Sequence, residues 1–230
     1  MILNSLVIGN GKVVAVGDDG IIAVSPDGGQ SWSLKDSGTS ENLQAVSWNG
    51  SEFVAVGTGG VFTRTPDTDL DQWEPGLITE PGHIDLRGLA YGNGGWVVVG
   101  SIRPADPSDA RRYIAYRWEN DEWDEYYRGD PWTWLNDVTF ADTGAGSHFV
   151  AVGNDGMIMT SDDGGLTWND DSKTASGAEL HGVYWDDYWN FEFITVGSAG
   201  TVIKGNSGGW AVLDPAGSET LKGVTVKWEN

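Results

Sequence analysis

The chain has 230 residues, contains no cysteine and carries a formal net charge of −21, from 34 acidic and 13 basic side chains. The absence of cysteine excludes disulfides and thiolate metal sites, and the acidic balance disfavours binding to nucleic acid or to an anionic lipid surface. The 34 glycines and 13 tryptophans, without a long amphipathic helical pattern, are typical of many short strands joined by tight turns.

The acidic surplus is mostly aspartate, which supplies 23 of the 34 acids, whereas lysine supplies only six of the 13 bases. Such a surface repels itself at low ionic strength, and molar salt screens that repulsion because the Debye length falls to about 3 Å. The composition therefore favours a protein of a salt-loving archaeon over an ordinary acidic mesophilic protein. The first residues lack the basic and apolar regions of a signal peptide, and no segment approaches a membrane span.

The first repeat unit combines two apolar strands and two turns. Val13 to Gly17 and Ile21 to Val24 predict a strand pair, joined through Asp18-Asp-Gly20 by a short turn. Asp and Gly tolerate the positive φ that tight two-residue hairpin turns require. The next stretch, Ser25-Pro-Asp-Gly-Gly-Gln-Ser-Trp32, predicts a second turn whose aspartate accepts backbone hydrogen bonds and whose tryptophan buries its ring. Phe149 to Trp168 repeats the whole unit.

Two full copies of Ser-x-Asp-Gly-Gly-x-(Ser/Thr)-Trp resemble the Asp box of the sialidase-type β-propellers. The same box occurs in photosystem-assembly propellers, in glycan-active enzymes and in many non-enzymatic propellers. In that family the box is a structural turn at the blade periphery, away from the central pocket. The resemblance therefore implies structural roles for Ser25, Asp27, Gly28, Gly29, Trp32, Ser161, Asp163, Gly164, Gly165 and Trp168.

The motif Leu-x-x-(Val/Leu) marks the predicted inner strands, at Leu3, Leu43, Leu86, Leu135, Leu180 and Leu221. Its spacing of 40 to 49 residues is that of four-stranded blades. We expect an all-β fold, a five-bladed β-propeller of four-stranded antiparallel blades in a single domain over 1–230. The blades are expected at about 1–40, 41–82, 83–133, 134–178 and 179–218.

Residues 219–230 alternate in polarity and predict a strand that helps to close the ring. However, Met1 to Ile8 fits the same inner position of blade one, so one of the two segments must pair elsewhere. The sequence does not decide between them.

Blade two contains an eroded box between Thr65 and Trp73. Asp67, Asp69 and Asp71 alternate like the start of a calcium loop, but Gln72 and Ile78 replace the glycine and glutamate that such a loop needs. A decayed Asp box is the favoured interpretation, and cation binding stays open.

Blade three departs most from the repeat, because Ser101 to Arg112 replaces a short turn and aromatic residues follow closely. Arginine, tryptophan and tyrosine are enriched in binding hot spots, and flat rings beside aspartate stack on sugars. The candidate binding residues for a protein partner or a glycan are Arg103, Arg111, Arg112, Tyr113, Trp123, Tyr126, Tyr127, Trp132 and, in blade five, Trp189. The alternative for Trp118, Trp123 and Trp132 is core packing between blades.

No pattern in the sequence predicts catalysis, a metal site or a cofactor. Ile102-Arg103-Pro104 lacks the order and context of the sialidase first-arginine motif, and His83, His148 and His181 stand without ligand spacing. Nucleophile elbows and phosphate loops that precede a helix are also missing. We therefore expect a protein that is not an enzyme.

The leading hypothesis is a structural or binding propeller in the virion of a tailed virus of a halophilic archaeon. It would decorate the capsid or tail, or attach to the host, with virion or assembly proteins, a host surface glycan or glycoprotein, or further copies of itself as partners. The first alternative is a cellular assembly factor in the cytoplasm of a halophile, resembling the photosystem-assembly propellers. The second is a sialidase-like protein that binds or cleaves glycans, which requires carboxylates paired at about 5–10 Å at the channel mouth.

Overall fold

The computed structural model describes residues 1–78, 84–102, 111–117, 123–131, 133–143, 146–172, 177–186, 192–206, 209–213 and 217–225, with the backbone alone for 111–117 and 125–131. Strands and turns account for the regular structure of these residues, which includes three single 3-10 turns. No helix in this part of the chain is long and apolar enough to cross a membrane.

The described strands form five four-stranded antiparallel sheets, in which each strand pairs with the next along the chain. Sheet 1 consists of β1 (Leu3–Gly9), β2 (Lys12–Gly17), β3 (Ile22–Ser25) and β4 (Ser33–Lys35). Sheet 2 consists of β5 (Leu43–Trp48), β6 (Glu52–Gly57), β7 (Val61–Pro66) and β8 (Glu74–Leu77). Sheet 3 consists of β9 (Ile84–Gly92), β10 (Gly95–Ile102), β11 (Arg111–Arg117) and β12 (Trp123–Pro131).

Sheet 4 consists of β13 (Leu135–Asp142), β14 (Ser147–Gly153), β15 (Ile158–Ser161) and β16 (Asn169–Asp170). Sheet 5 consists of β17 (Leu180–Asp186), β18 (Glu192–Gly197), β19 (Val202–Asn206) and β20 (Gly209–Val212). The all-β class and the four-stranded antiparallel sheets predicted from the sequence are confirmed.

The second strand of each sheet is an apolar run because neighbouring sheets or loops cover both of its faces. In β14, for example, the four residues from Phe149 to Val152 are buried. Four hydrophobic clusters join successive sheets, and the first leucine of each later inner strand lies at their centre: Leu43, Leu86, Leu135 and Leu180. Each fully buried side chain of this size stabilises the fold by roughly 1.5–3 kcal/mol.

The turn between the second and third strands is longer than the two-residue hairpin turn that the sequence predicts. Asp18–Gly20 is a 3-10 turn that Asn154–Gly156 and Ser198–Gly200 repeat. Its predicted positive φ is confirmed, with 56° at Asp19 and 68° at Gly20. A Cβ atom at Gly20 would lie 2.0 Å from the carbonyl oxygen of Thr39, so the turn also needs glycine for space.

The competition between the two ends of the chain is resolved in favour of the N-terminal strand. β1 pairs with β2 and therefore fills the inner position of sheet 1. The C-terminal segment cannot take that position, and residues 217–225 form no strand ladder with the described residues. The prediction that this segment closes a ring against sheet 1 is wrong, because the inner edge of that sheet is already occupied.

Candidate binding site at the central cavity

A cavity of about 540 Å³ lies where the inner strands meet. In each of the five inner strands the pairing register shifts at the residue after the leucine, so this residue sits at a β-bulge that redirects its side chain. These following residues line the cavity: Asn4, Gln44, Arg87, Asn136, His181 and Lys222. Thr58 and Asp85 complete the described wall.

Hydrogen bonds hold part of the cavity wall in place. Asn4 Nδ2 donates to the carbonyl oxygen of Leu43 at 3.0 Å, and Asn136 Nδ2 donates to that of Leu180 at 2.8 Å. Arg87 Nη1 donates to Asn136 Oδ1 at 2.9 Å, and its guanidinium lies 5.8 Å from the ring centre of Trp134. Each asparagine therefore links its own inner strand to the next one, and Arg87 is held in position at the wall.

The cavity wall has a different charge balance from the chain as a whole. Arg87 and Lys222 face the cavity with a single carboxylate, Asp85, among its described lining residues, and His181 adds an imidazole ring. The chain as a whole carries 34 acids against 13 bases. The arrangement can bind a carboxylate through charge-assisted hydrogen bonds from arginine and lysine, with amide groups beside them.

The structural comparisons identify the architecture to which this cavity belongs. No family model matches the chain, and no curated protein matches its sequence. Among solved structures, YCF48 bound to a D1 peptide superposes with a TM-score of 0.62 at 18% identity, over 91% of this chain and 66% of that one. The chain is a β-propeller.

Two further structures support the same fold. The computationally designed Ika8 protein superposes with a TM-score of 0.64 at 14% identity, over 98% of this chain and 65% of that one. YCF48 from Cyanidioschyzon merolae gives 0.50 at 14% identity, over 95% of this chain and 87% of that one. This chain thus spans about two thirds of the length of peptide-bound YCF48 and of Ika8. At these sequence identities the likeness shows the fold alone.

Each sheet is therefore a blade, and the two Ser-x-Asp-Gly-Gly-x-(Ser/Thr)-Trp turns join the outer two strands of blades one and four. In blade one, Asp27 Oδ1 accepts the backbone N–H groups of Gln30 and Ser31 at 3.0 and 2.9 Å. The Ser31 hydroxyl and further hydrogen bonds lower the pKa of Asp27 to about 2. Trp32 Nε1 donates to Gly29 O at 3.1 Å. Its ring is 47% exposed, so the predicted burial is wrong at Trp32, because no described blade precedes blade one.

The turn of blade four repeats these contacts. Asp163 Oδ1 accepts from Leu166 and Thr167 N–H at 3.0 and 2.8 Å. Burial raises the pKa of Asp163, but the hydrogen bonds from Thr167, Ser161 and Leu166 outweigh it, so that the pKa lies below its ordinary value. Since these groups bond within their own turn, the geometry supports a structural role for both.

The decayed turn of blade two keeps one contact of the intact turns. Trp73 Nε1 donates to Leu70 O at 3.2 Å, three residues back, as the tryptophans of blades one and four do. Asp67 accepts from Asn10 Nδ2 at 3.0 Å, whereas Asp71 pairs with Lys35. No cluster of three acidic or histidine side chains suited to a metal ion occurs in the described part of the chain.

Most of the candidate residues on blade three lie outside the described side chains. Arg111, Arg112 and Tyr113 begin β11, where their backbone pairs with Ile102, Ser101 and Gly100. Tyr126 and Tyr127 belong to β12, again with the backbone alone described. Arg103, Trp118, Trp132 and Trp189 lie outside the described residues, and so does His83.

Trp123 can be placed, and it packs between blades. Its ring centre lies 5.7 Å from that of Phe62, and both rings contact the core between blades two and three. This contact favours the core alternative for Trp123.

The two described histidines differ, because His148 Nδ1 lies 2.6 Å from Asp162 Oδ1 whereas His181 lines the central cavity.

Sequence reasoning missed the cavity residues although the pattern contains them. The inner-strand motif identifies each leucine, and its next position is polar in all six copies: Asn4, Gln44, Arg87, Asn136, His181 and Lys222. A polar residue that recurs next to a core leucine in every copy predicts a polar surface shared by the inner strands. The first x of the Leu-x-x-(Val/Leu) motif therefore already indicates the residues that line the cavity.

Proposed function

We propose that this propeller is a non-enzymatic binding module that holds an acidic segment of a partner protein at its central cavity. The observation that supports it most is the cavity wall, where Arg87, His181 and Lys222 accompany the single described carboxylate of Asp85. With a net charge of −21, the rest of the surface repels an acidic segment and leaves the cavity as the favourable place to dock.

Two further observations support this proposal. The single carboxylate on the described wall offers no pair of the kind that glycoside hydrolysis uses, which favours binding over cleavage. The similar structure of YCF48 contains a D1 peptide, so a propeller of this architecture is able to hold a peptide. This likeness concerns the fold and does not extend to which peptide this chain would hold.

The test is titration with a short oligoglutamate peptide, with oligoglutamine of the same length as the neutral control. We expect saturable binding of oligoglutamate alone at moderate salt, and about a tenfold loss in the Lys222→Ala variant, which corresponds to about 1.4 kcal/mol. Lys35→Ala is the matched control, because Lys35 pairs with Asp71 in a different part of the molecule. Equal binding of the two peptides, or equal losses in the two variants, would overturn the proposal.

For the biological setting, we propose a virion component of a tailed virus of a halophilic archaeon, as a capsid or tail decoration or a receptor-binding module. The acidic composition supports this setting, because its self-repulsion is screened in molar salt. In this setting the remaining candidate residues of blade three contact a virion protein or a host glycan: Arg103, Arg111, Arg112, Tyr113, Tyr126, Tyr127 and Trp132.

The second candidate is a cellular assembly factor, which the fold likeness to YCF48 supports. Isolation of the native protein in molar salt separates the two settings. A virion component is recovered in a particle that contains many copies, whereas an assembly factor is recovered with one copy per client complex.

A further inference from the structure

A second cavity, of about 190 Å³, lies between the outer parts of blades four and five. It shares no described lining residue with the central cavity. At about 30 Å³ for each water molecule, it has room for roughly six waters. That space holds one small ring and is too small for a folded segment of a partner protein.

The wall from blade four is polar. Val150 pairs with Thr160, and Thr160 pairs with Asn169, so these three side chains lie on one face of the sheet. Three further side chains lie two positions from them in the sequence and also line the cavity: His148, Asp162 and Asp171. This face is therefore rich in hydrogen-bonding groups where it meets blade five.

The wall from blade five is aromatic. Phe193 pairs with Gly205, and Gly205 pairs with Trp210, so that the two rings share a face. A Cβ atom at Gly205 would lie 2.6 Å from Cδ2 of Trp210, and the glycine thus leaves room for the indole against the sheet. Phe193 is buried, whereas Trp210 is only partly buried and lines the cavity.

The cavity exists because the outer turn of blade five is short. Blades two and four each place a leucine and a tryptophan from this turn against the preceding blade: Leu70 and Trp73, and Leu166 and Trp168. In blade five, Gly205-Asn-Ser-Gly-Gly-Trp210 has six residues instead of eight and contains no leucine. Trp210 therefore packs against blade four without a leucine beside it.

The junction between blades one and two shows how a full turn covers the same place. Two lysines of blade one stand at the repeat positions of His148 and Asp171. Both bond to the turn of blade two: Lys12 to the carbonyl oxygen of Asp67, and Lys35 to the carboxylate of Asp71. The longer turn thus occupies the space that forms the cavity between blades four and five.

In blade four, the described hydrogen bonds of these polar groups stay within the blade. His148 Nδ1 lies 2.6 Å from Asp162 Oδ1, and Thr160 Oγ1 donates to Asp171 Oδ2 at 2.9 Å. The second oxygen of each carboxylate has no hydrogen-bond partner among the described residues. Each can therefore accept a hydrogen bond from a ligand.

We propose that this cavity binds one neutral sugar unit of a glycan, which stacks on Trp210 and donates hydroxyl hydrogen bonds to Asp162 and Asp171. This site does not depend on the function proposed for the central cavity. The apolar C–H face of a sugar ring packs on an aromatic ring, and the hydroxyl groups at its edge need acceptors.

The polar groups of the wall favour a neutral sugar over a charged ligand. An anionic sugar would be repelled by the carboxylates of Asp162 and Asp171. An ammonium group would use these carboxylates alone, whereas sugar hydroxyls also bond to the amides of Asn169 and Asn206, which line the same cavity.

The experiment is saturation-transfer NMR with the methyl glycosides of glucose, galactose and mannose, and with N-acetylneuraminic acid as the anionic comparison. We expect at least one of the three hexosides to bind saturably in molar salt, and the acid not to bind. Trp210→Ala and Asp171→Asn should each weaken that binding at least tenfold. Trp32→Ala is the matched control, because Trp32 ends the corresponding turn of blade one and does not line this cavity.

No binding of any of the three hexosides, or equal losses in Trp210→Ala and Trp32→Ala, would overturn the proposal. Displacement of the sugar by oligoglutamate would also overturn it, because the sugar would then lie in the central cavity. Displacement by methylammonium at low salt would assign the cavity to a cationic group instead. Thermal unfolding shows whether each variant is folded, and if Trp210→Ala is not, unchanged binding to Asp171→Asn contradicts the proposal by itself.

Discussion

Leu3 and Leu43 occupy the same position of the repeat, yet the first is 46% exposed and the second is fully buried. The difference comes from their neighbours. Leu43 packs on Val14, Val16 and other residues of the preceding blade, whereas no described blade precedes Leu3. Burial in this fold is thus a property of the junction between blades, and no described blade covers this face of blade one.

We expect the largest difference in the free energy of unfolding between alanine variants at Leu43 and Leu3. Leu43→Ala should lower the free energy of unfolding by about 2–5 kcal/mol, since it leaves a cavity in a closed junction. Leu3→Ala should cost less than about 1 kcal/mol, because its side chain is half solvated already. Denaturant unfolding of both variants measures the difference, and equal losses would show that the junction before blade one is as closed as the next.

The junction between blades four and five contains the partly buried carboxylate of Asp137, which makes its stability depend on pH. Asp137 accepts the N–H of Val183 at 2.9 Å and that of Val138 at 2.9 Å. Burial raises its pKa from 3.8 to about 6, although these two hydrogen bonds oppose the shift. The folded state therefore binds the proton more tightly, and the contribution of this group to stability is lost as the pH rises from about 4 to 6.

We expect Asp137→Ser to remove that loss, because Ser5 accepts the equivalent N–H, from Val46, at the first junction. Relative to the parent, the variant should gain up to about 3 kcal/mol between pH 4 and pH 7. Asp124→Ser, at an exposed aspartate, is the control. Unfolding curves at a series of pH values measure the gain, and a difference from the parent that is independent of pH would contradict the assignment.

The smallest effect concerns the two glycines that contact the following inner segment. Gly88→Ala should destabilise by about 1–3 kcal/mol, because its Cβ would press on the backbone of a complete blade. Gly182→Ala should cost clearly less, since its Cβ would lie 3.2 Å from Gly223 and Leu221–Thr225 forms no ladder with the described residues. Thermal unfolding compares them, and an equal or larger cost at Gly182 would mean that the last segment is fixed as firmly as a full blade.

The sequence predicted the local structure of the repeat well. The apolar second strands, the positive φ at Asp19 and the hydrogen bonds of Asp27 all depend on residues close in the chain, so that short patterns specify them. The inner-strand leucines were also identified, because a leucine buried between sheets needs a fixed place in each repeat.

Two features depend on distant parts of the chain and were missed. Leu221 fits the inner-strand motif equally well in blade one or in a new position, and only the pairing of β1 with β2 decides between them. The cavity needs residues from six separate segments, so that no local stretch containing Arg87 or Lys222 indicates it. The polar position after each leucine becomes informative once the copies are compared with one another.

The most direct test of this difference between blades one and two uses the absence of cysteine from the chain. Leu6→Cys and Val46→Cys place one thiol each at equivalent positions of blades one and two, which are 56% and 6% exposed. Reaction of the native variants with a coloured thiol reagent is then followed over time. We predict rapid modification at position 6 and strong protection at position 46. Equal protection of both thiols in the protein alone would contradict it.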